Sequence, residues 1–323
     1  MTAPLGEFDL IARYFTRPTR RAALGIGDDC ALLPALEIGE QLAISSDMLV
    51  EGRHFLPGAD PEALGHKALA VNLSDLAAMG ARPLAFTLAL ALPDADASWL
   101  DGFSRGMFAL ADAYNIELVG GDTTRGPRNI CLTVLGAVPQ GQALLRSAAQ
   151  VGDDLWVSGA VGDARLALGH RLAEWELDAA SQATTFARMD RPTPRIALGL
   201  TLRGVAHAAV DVSDGLLADL GHILRQSGVG ATLNADACPS SPGLRAQNVE
   251  RRRLCQLAGG DDYELLFTAP ASARDAVQAA ATRAGTPVTR IGGIDAQPGL
   301  RLIDVGGQVL DNAYAGFDHF RSP

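Results

Sequence analysis

A two-domain α/β fold is what the sequence predicts, on three observations. At 323 residues the chain is longer than one ordinary core needs. Short apolar runs of strand length alternate with segments of helical period. The strand-turn-helix theme then restarts beyond residues 140–151, so the expected division is into 1–140 and 141–323.

With 48% hydrophobic and 20% charged residues and no low-complexity tract, the chain reads as a soluble globular protein. Its 27 basic and 37 acidic residues give a net charge of −10, which argues against non-specific nucleic-acid binding and against an anionic membrane surface. A negatively charged ligand would then need cations or a few placed arginines. Lys67 is the only lysine, and a bias toward arginine codons accounts for most of that. Cys30, Cys131, Cys238 and Cys255 form no C-x-x-C pair, so neither a zinc ribbon nor a secreted disulfide framework is suggested. The start, MTAPLGEFDL, lacks a basic region followed by an apolar one, and no apolar run approaches membrane-spanning length. A cytoplasmic protein with free thiols is expected.

Phe8, Ile11, Ala12 and Phe15 have the spacing of one apolar helix face and predict an opening helix. Residues 30–33 and 41–44 read as short strands, the second running into Ser45-Ser46-Asp47 at its end. Asp60 and Pro61 form an N-cap and N1 pair for a long helix, apolar on most sides, that reaches Gly80. Asp75 falls on its apolar stripe, so its carboxylate must be paired, hydrogen-bonded or metal-bound to stay ionised. Residues 84–92 read as a buried strand, and Ser98 with Asp101 as the capping box of the next helix. A strand over 116–119 is expected to end at Gly120-Gly121-Asp122-Thr123-Thr124, where glycines allow close approach to a phosphate or metal, though a plain turn has the same composition.

In the second half, 155–158 reads as a strand and Gly159 to Asp163 as a glycine loop opening a helix. No P-loop and no protein-kinase signature occurs anywhere. Residues 205–210 predict a strand ending in Asp211-Val212-Ser213-Asp214-Gly215, followed by a helix over 216–226. Two aspartates and a serine there suit a magnesium-phosphate contact shared with backbone N–H groups. A well-capped helix is the plainer reading, with Ser213 or Asp214 as the cap, but it leaves Asp211 unexplained. Gly259-Gly260-Asp261-Asp262-Tyr263-Glu264 precedes a strand over 265–268, and a helix near 271–284 and strands near 288–294 and 300–303 follow.

Each acidic turn alone has the composition of a solvated loop. Together they do not, because Gly25-Ile26-Gly27-Asp28-Asp29 is echoed at Asp47, Asp75, Asp122, Asp211-Asp214 and Asp261-Asp262, with His and Cys missing from the later set. Oxygen-only ligands select magnesium or manganese. Magnesium completes its shell with water and phosphate, so this many aspartates imply several ions on a polyphosphate, hence phosphoryl transfer.

The set GIGDDCALL, AISSDMLVEGRHF, HKALAVNLSDLAAMGA, LVGGDTTRGP, LLRSAA, DVSDGL, GGDDYEL and GFDHF resembles the bacterial thiamine-monophosphate kinases, in order and over nearly the whole chain. Related synthetases for aminoimidazole ribonucleotide and selenophosphate share the acidic ATP site but not this set. The resemblance implies an aminoimidazole ribonucleotide synthetase-like fold whose N-terminal sheets form a barrel in a homodimer. It implies a transferase, a kinase that moves the γ-phosphoryl of ATP directly to thiamine monophosphate with several Mg²⁺ ions, giving thiamine diphosphate and ADP. By motif, Asp29, Ser45, Ser46, Asp47, Asp75, Asp122, Asp211 and Asp214 would hold magnesium. Gly121, Asp122, Arg146 and Ser213 would contact ATP, and His54, Asp261 and Phe317 the thiamine phosphate. Family members can carry Tyr or Trp in place of Phe317 and Glu in place of Asp261. No protein nucleophile or general base is expected, because the acceptor phosphate is already ionised. Asp28 falls to a supporting or solvent-facing role. Lys67 is a speculative second cation for the nucleotide, against the plainer reading of an exposed helix lysine. Another ATP-dependent enzyme of the same fold, or a non-catalytic binder of thiamine phosphates, would share part of this pattern.

Overall fold

The computed structural model describes residues 6–311 and Tyr314. Phe317, expected against the substrate, lies outside the described residues. The chain divides into two compact units, Met1–Leu76 with Ala81–Gln140, and Ala77–Gly80 with Gly141–Pro323.

The first unit runs α1 (Glu7–Tyr14), β1 (Glu40–Val50), α2 (Pro61–Ala78), β2 (Arg82–Leu92), α3 (Ala97–Tyr114), β3 (Glu117–Arg125) and β4 (Asn129–Pro139). Its four strands lie in the order β1-β4-β2-β3, antiparallel except for the parallel β2/β3 pair. Alternation along the strands sorts the residues by face. Phe86, Leu88 and Leu90 of β2 and Ile130, Leu132 and Val134 of β4 are buried on one face. Leu42, Ile44 and Met48 on the other face of β1 are 45%, 61% and 51% exposed.

Helix α2 starts where Asp60 and Pro61 predict it, with the Asp60 carboxylate accepting the Ala63 N–H at 3.0 Å. It is buried on nearly every side, as its apolar circumference requires. Lys67 is buried too, at 5% exposure, so the reading of an exposed helix lysine is wrong: the residue falls among Leu64, Ala68 and Val71 on a helix with almost no wet face. α3 is capped by Asp96, whose side chain accepts from the N–H groups of Ser98 and Trp99. The Ser98–Asp101 capping box therefore does not form, since the helix begins one residue before Ser98. α1 forms as expected, but it buries Leu10 and Tyr14 and leaves Phe8 81% exposed, because the neighbouring elements cover a different stripe.

Three strand assignments shift. Residues 30–33 form no strand, only an isolated bridge between Leu24 and Leu32. Ser45, Ser46 and Asp47 lie in the middle of β1, each opposite a residue of β4, so pairing carries the strand through them. Gly120 and Gly121 lie within β3. There a bulge opposite Phe86 and Thr87 and a Gly121 φ of 150° bring the backbone so near β2 that a Cβ on Gly121 would stand 1.9 Å from the Leu88 carbonyl oxygen.

The second unit runs β5 (Asp153–Ser158), α4 (Asp163–Arg171), α5 (Ala179–Asp190), α6 (Ile196–Leu202), β6 (Ala208–Asp211), α7 (Leu216–Ser227) and β7 (Gly230–Asn234). It continues through α8 (Pro242–Arg245), α9 (Val249–Ala258), β8 (Leu265–Pro270), α10 (Arg274–Ala284), β9 (Val288–Asp295), β10 (Gly299–Ile303) and β11 (Val309–Leu310). The described strands form one mixed sheet in the order β11-β10-β7-β9-β5-β8-β6. β5 is buried throughout, and its Leu155 and Val157 share a core with Leu266 of β8 and with Leu216, Leu220 and Ile223 of α7. β6 begins at Ala208 rather than near 205 and includes Asp211, paired with Leu265 at the sheet edge.

In the first unit α2 and α3 cross through glycines. A Cβ on Gly106 would stand 1.8 Å from the Glu62 carbonyl oxygen, and one on Gly65 would stand 2.0 Å from that of Phe103. Gly106→Ala is expected to destabilise the protein by about 1–3 kcal/mol through overpacking, read as a lower urea midpoint with unchanged m.

Candidate active site

In the first unit the polar residues of α2 meet the middle of β1. The Ser45 hydroxyl donates to the Asp75 carboxylate at 2.5 Å. The Asp47 backbone N–H, on the open edge of β1, donates to the Asn72 side-chain oxygen at 3.0 Å. Ser45 and Asp47 share the face turned to α2, so Ser45, Asp47 and Asp75 form one cluster of oxygen donors. Asp75 is half-buried and held, as its place on the apolar stripe demands.

Ser46 alternates to the opposite face, where its hydroxyl lies 2.9 Å from that of Thr133 and donates to the Leu132 carbonyl at 3.0 Å. Asp122 pairs with Ala89, Ala89 with Cys131 and Cys131 with Met48, which puts the Asp122 side chain on that same open face. Asp47 and Asp122 thus occupy opposite faces and opposite edges of the sheet, about 14 Å apart across three strand spacings. The first unit does not bring its aspartates to one point.

Asp29 sits in an exposed loop where its N–H donates to the Asp28 carboxylate at 3.0 Å, so Asp28 has a local structural use. His54 lies in the turn after β1 and accepts the Val50 N–H on Nδ1 at 3.0 Å. In its neutral form the ring therefore carries its proton on Nε2.

In the second unit the segment after β6 runs beside residues 260–264. The Val212 N–H donates to the Glu264 carbonyl (2.8 Å), the Tyr263 N–H to the Val212 carbonyl (2.9 Å) and the Asp261 N–H to the Ser213 carbonyl (2.8 Å). The turn demands positive φ at two side-chain-bearing residues, Asp261 (72°) and Tyr263 (52°). Gly260 is needed because a Cβ there would stand 2.2 Å from the Ser213 carbonyl oxygen. Ser213 is brought against Asp261 in this way, while Asp211 stands opposite Leu265 at the end of β6.

The helix-cap reading of Ser213 and Asp214 fails. The N-cap of α7 is Gly215, with no side-chain cap, so neither Ser213 nor Asp214 is used up there. The expectation that their N–H groups face a phosphate fails as well. Both donate to the buried Asp219 carboxylate, at 3.0 and 3.1 Å. Burial, and then the charge of Asp214, push the Asp219 pKa up to about 7 against the pull of these N–H groups and of Arg146. Arg146 is exposed, and its field reaches both Asp219 and His222. The Ser227 hydroxyl at the end of α7 donates to the Arg146 carbonyl at 3.0 Å and so fixes that backbone.

The glycine loop before α4 is likewise occupied by one of the protein's own carboxyl groups. Asp262 accepts the N–H groups of Gly162 (2.6 Å) and Ala164 (3.4 Å), and burial raises its pKa well above the carboxylate norm. Glu264, fully buried, accepts from the Ser158 hydroxyl at 2.5 Å and from the guanidinium groups of Arg188 and Arg195. Sequence reasoning missed Asp219 and the partners of Glu264. A carboxylate one turn into an apolar helix was the available signal for Asp219. The partners of Glu264 lie 69 to 106 residues away and left none.

Among the described residues no three His, Cys, Asp or Glu side chains stand close enough to enclose a metal. Paired oxygen donors are what the chain offers, which suits magnesium, an ion that keeps water and phosphate oxygens in its shell.

The chain matches two family models, AIR synthase related protein, N-terminal domain, over residues 27–138, and AIR synthase related protein, C-terminal domain, over residues 150–305. It is 47% identical to the thiamine-monophosphate kinase of Salmonella typhimurium over 98% of this chain and 99% of the relative. It also resembles the crystal structure of thiamine-monophosphate kinase from Stenotrophomonas maltophilia, with 48% identity, a TM-score of 0.84 and coverage of 93% and 95% of the two chains. AaThiL complexed with AMPPCP and TMP is similar at 31% identity and a TM-score of 0.76, over 89% and 90% of the chains.

The scaffold role of Glu264 can be tested. Glu264→Gln leaves two guanidinium groups facing a neutral amide and is expected to cost about 3 kcal/mol in urea unfolding.

Proposed function

The chain belongs to the thiamine-monophosphate kinase family and catalyses the ATP-dependent formation of thiamine diphosphate, and on that footing we propose how its residues divide the work. Ser45, Asp47 and Asp75 in the first unit, with Asp29, Ser46 and Asp122, hold magnesium, as do Asp211 and Asp214 in the second. Gly121, Asp122, Arg146 and Ser213 contact ATP. His54, Asp261 and Phe317 contact the thiamine phosphate. The observation that carries the metal assignment is the state of the side chains. Ser213 and Asp214 are free of helix capping, while Asp75 and Ser45 meet as an oxygen-only pair.

Magnesium, when bound, offsets the charge on the β- and γ-phosphates and on the acceptor phosphate, which otherwise repel each other. The protein's part is positional. The acceptor is already an oxyanion, so no side chain needs to take a proton and no protein nucleophile enters. The Arg146 guanidinium supplies a fixed positive charge on the nucleotide, on a backbone anchored by Ser227. His54, with Nδ1 committed to the backbone, presents Nε2–H as a donor to phosphate oxygen. Asp261 offsets the positive charge of the thiamine ring system, and the aromatic ring of Phe317 stacks on it.

A homodimer fits the open face of the first sheet. Leu42, Ile44 and Met48 form an exposed apolar row on β1, the kind of surface that a second copy covers. No helix among the described residues is long and apolar enough to cross a membrane, and a cytoplasmic location agrees with the family's soluble substrates.

Incubation with ATP, Mg²⁺ and thiamine monophosphate, followed by chromatography, is expected to yield ADP and thiamine diphosphate in equal amounts. ATP consumption without thiamine diphosphate would point to another reaction of the fold, and binding without ADP to a non-catalytic protein. Asp75→Asn and Asp122→Asn are each expected to abolish turnover while the far-UV spectrum stays unchanged. Near-normal turnover of either variant at saturating Mg²⁺ would remove that residue from the metal set.

A further inference from the structure

Asp219 lies one turn inside α7 and is 3% exposed. Its Oδ2 accepts two successive backbone N–H groups, those of Ser213 at 3.0 Å and Asp214 at 3.1 Å. The opposite side of the same segment is committed as well, through the Ser213 and Val212 carbonyls to the N–H groups of Asp261 and Tyr263. Gly215 follows with φ 121°, and a Cβ there would stand 2.8 Å from the Ala258 carbonyl oxygen, so the exit from the segment is also fixed. Between these restraints the backbone of 212–214 has little freedom. The side-chain groups not used by these restraints are the Ser213 hydroxyl and the Asp214 carboxylate.

The start of a helix, with successive free N–H groups, is where proteins commonly seat a phosphate. Here the Asp219 carboxyl group takes the two N–H groups that lie just before that start, those of Ser213 and Asp214. A phosphate is then excluded from the amides of residues 213 and 214, and it reaches this segment through a cation on the Asp214 carboxylate or through the Ser213 hydroxyl.

We propose that Asp219 is a positioning residue, whose buried carboxyl oxygen holds the Ser213 and Asp214 amides just before α7 and thereby presets Ser213 and Asp214 for magnesium-bound nucleotide. The proposal rests on the reading of Asp214 as a magnesium ligand and Ser213 as an ATP contact. It predicts that the geometry of the acceptor oxygen matters more than its charge. In Asp219→Asn one oxygen can still receive both N–H groups, whereas in Asp219→Leu none can.

Steady-state turnover across a Mg²⁺ titration separates these cases. Asp219→Asn is expected to stay within about threefold of the unaltered protein in half-saturating Mg²⁺ and kcat, whereas Asp219→Leu raises half-saturating Mg²⁺ and the KM for ATP at least ~tenfold with a smaller change in kcat. A merely structural role would lower Tm in Asp219→Leu without moving the Mg²⁺ dependence, and that result overturns the proposal. Equal impairment of both variants overturns it too. If Asp219→Leu does not fold, hydrogen exchange on the unaltered protein decides. Slow exchange of the Ser213 and Asp214 amides, kept in Asp219→Asn, supports the proposal, and fast exchange overturns it. Asp214→Asn in the same titration keeps the two readings apart. An unchanged Mg²⁺ dependence there removes the metal from this segment, while the exchange result still reports on Asp219.

Discussion

A carboxylate taken out of water must be given partners or it will not stay ionised, and this chain, with 37 acidic residues, is arranged around that constraint. Glu264 is enclosed with Ser158, Arg188 and Arg195, Asp154 is held by Arg274 and Arg290, and Asp262 and Asp219 are met only by pairs of backbone N–H groups, so burial still raises their pKa. The Arg274 hydrogen bond, then that of Arg290, keep the Asp154 pKa below the usual carboxylate range despite burial. These groups are spent on the fold. Asp29 and Asp122 are exposed, and the Asp214 side chain is left out of the capping of α7, so these carboxylates remain for a ligand.

The same division explains why neighbouring aspartates in one motif have different fates. In Gly259-Gly260-Asp261-Asp262, Asp262 turns inward to the start of α4 while Asp261, at φ 72°, stays beside Ser213. In Gly27-Asp28-Asp29, Asp28 accepts the N–H of its neighbour and Asp29 remains exposed. In Ser45-Ser46-Asp47 the separation comes from the pleat of β1, which places Ser46 on the face opposite to the other two. In both acidic pairs one carboxyl group, Asp28 or Asp262, accepts a backbone N–H.

Glycine has a similar double meaning here. Gly121, Gly162, Gly215 and Gly260 all sit beside acidic motifs and read as phosphate-loop residues from composition alone. Each instead relieves a close approach of the protein's own backbone: to Leu88, to Cys255 and Gln256, to Ala258 and to Ser213. The N–H groups that such loops would offer to a phosphate are taken at Gly162, Ser213 and Asp214 by internal carboxylates. The backbone of these loops is thus engaged with the protein itself.

The amino-acid sequence by itself determined the family, the capped start of α2 at Asp60-Pro61, and the order of the acidic motifs that carries the family resemblance. These are local signals, carried by periodicity, capping chemistry and motif order. Tertiary structure alone decided which of the aspartates remain available, because that depends on strand register and on partners far along the chain. Ser46 and Ser45 differ by one residue and one face, Lys67 is buried because α2 is covered all round, and Asp219 claims two amides that no local signal assigned to it. A sequence records which groups can bind a cation. The fold settles which are already bound to the protein itself, since a carboxylate has one environment and burial chooses it.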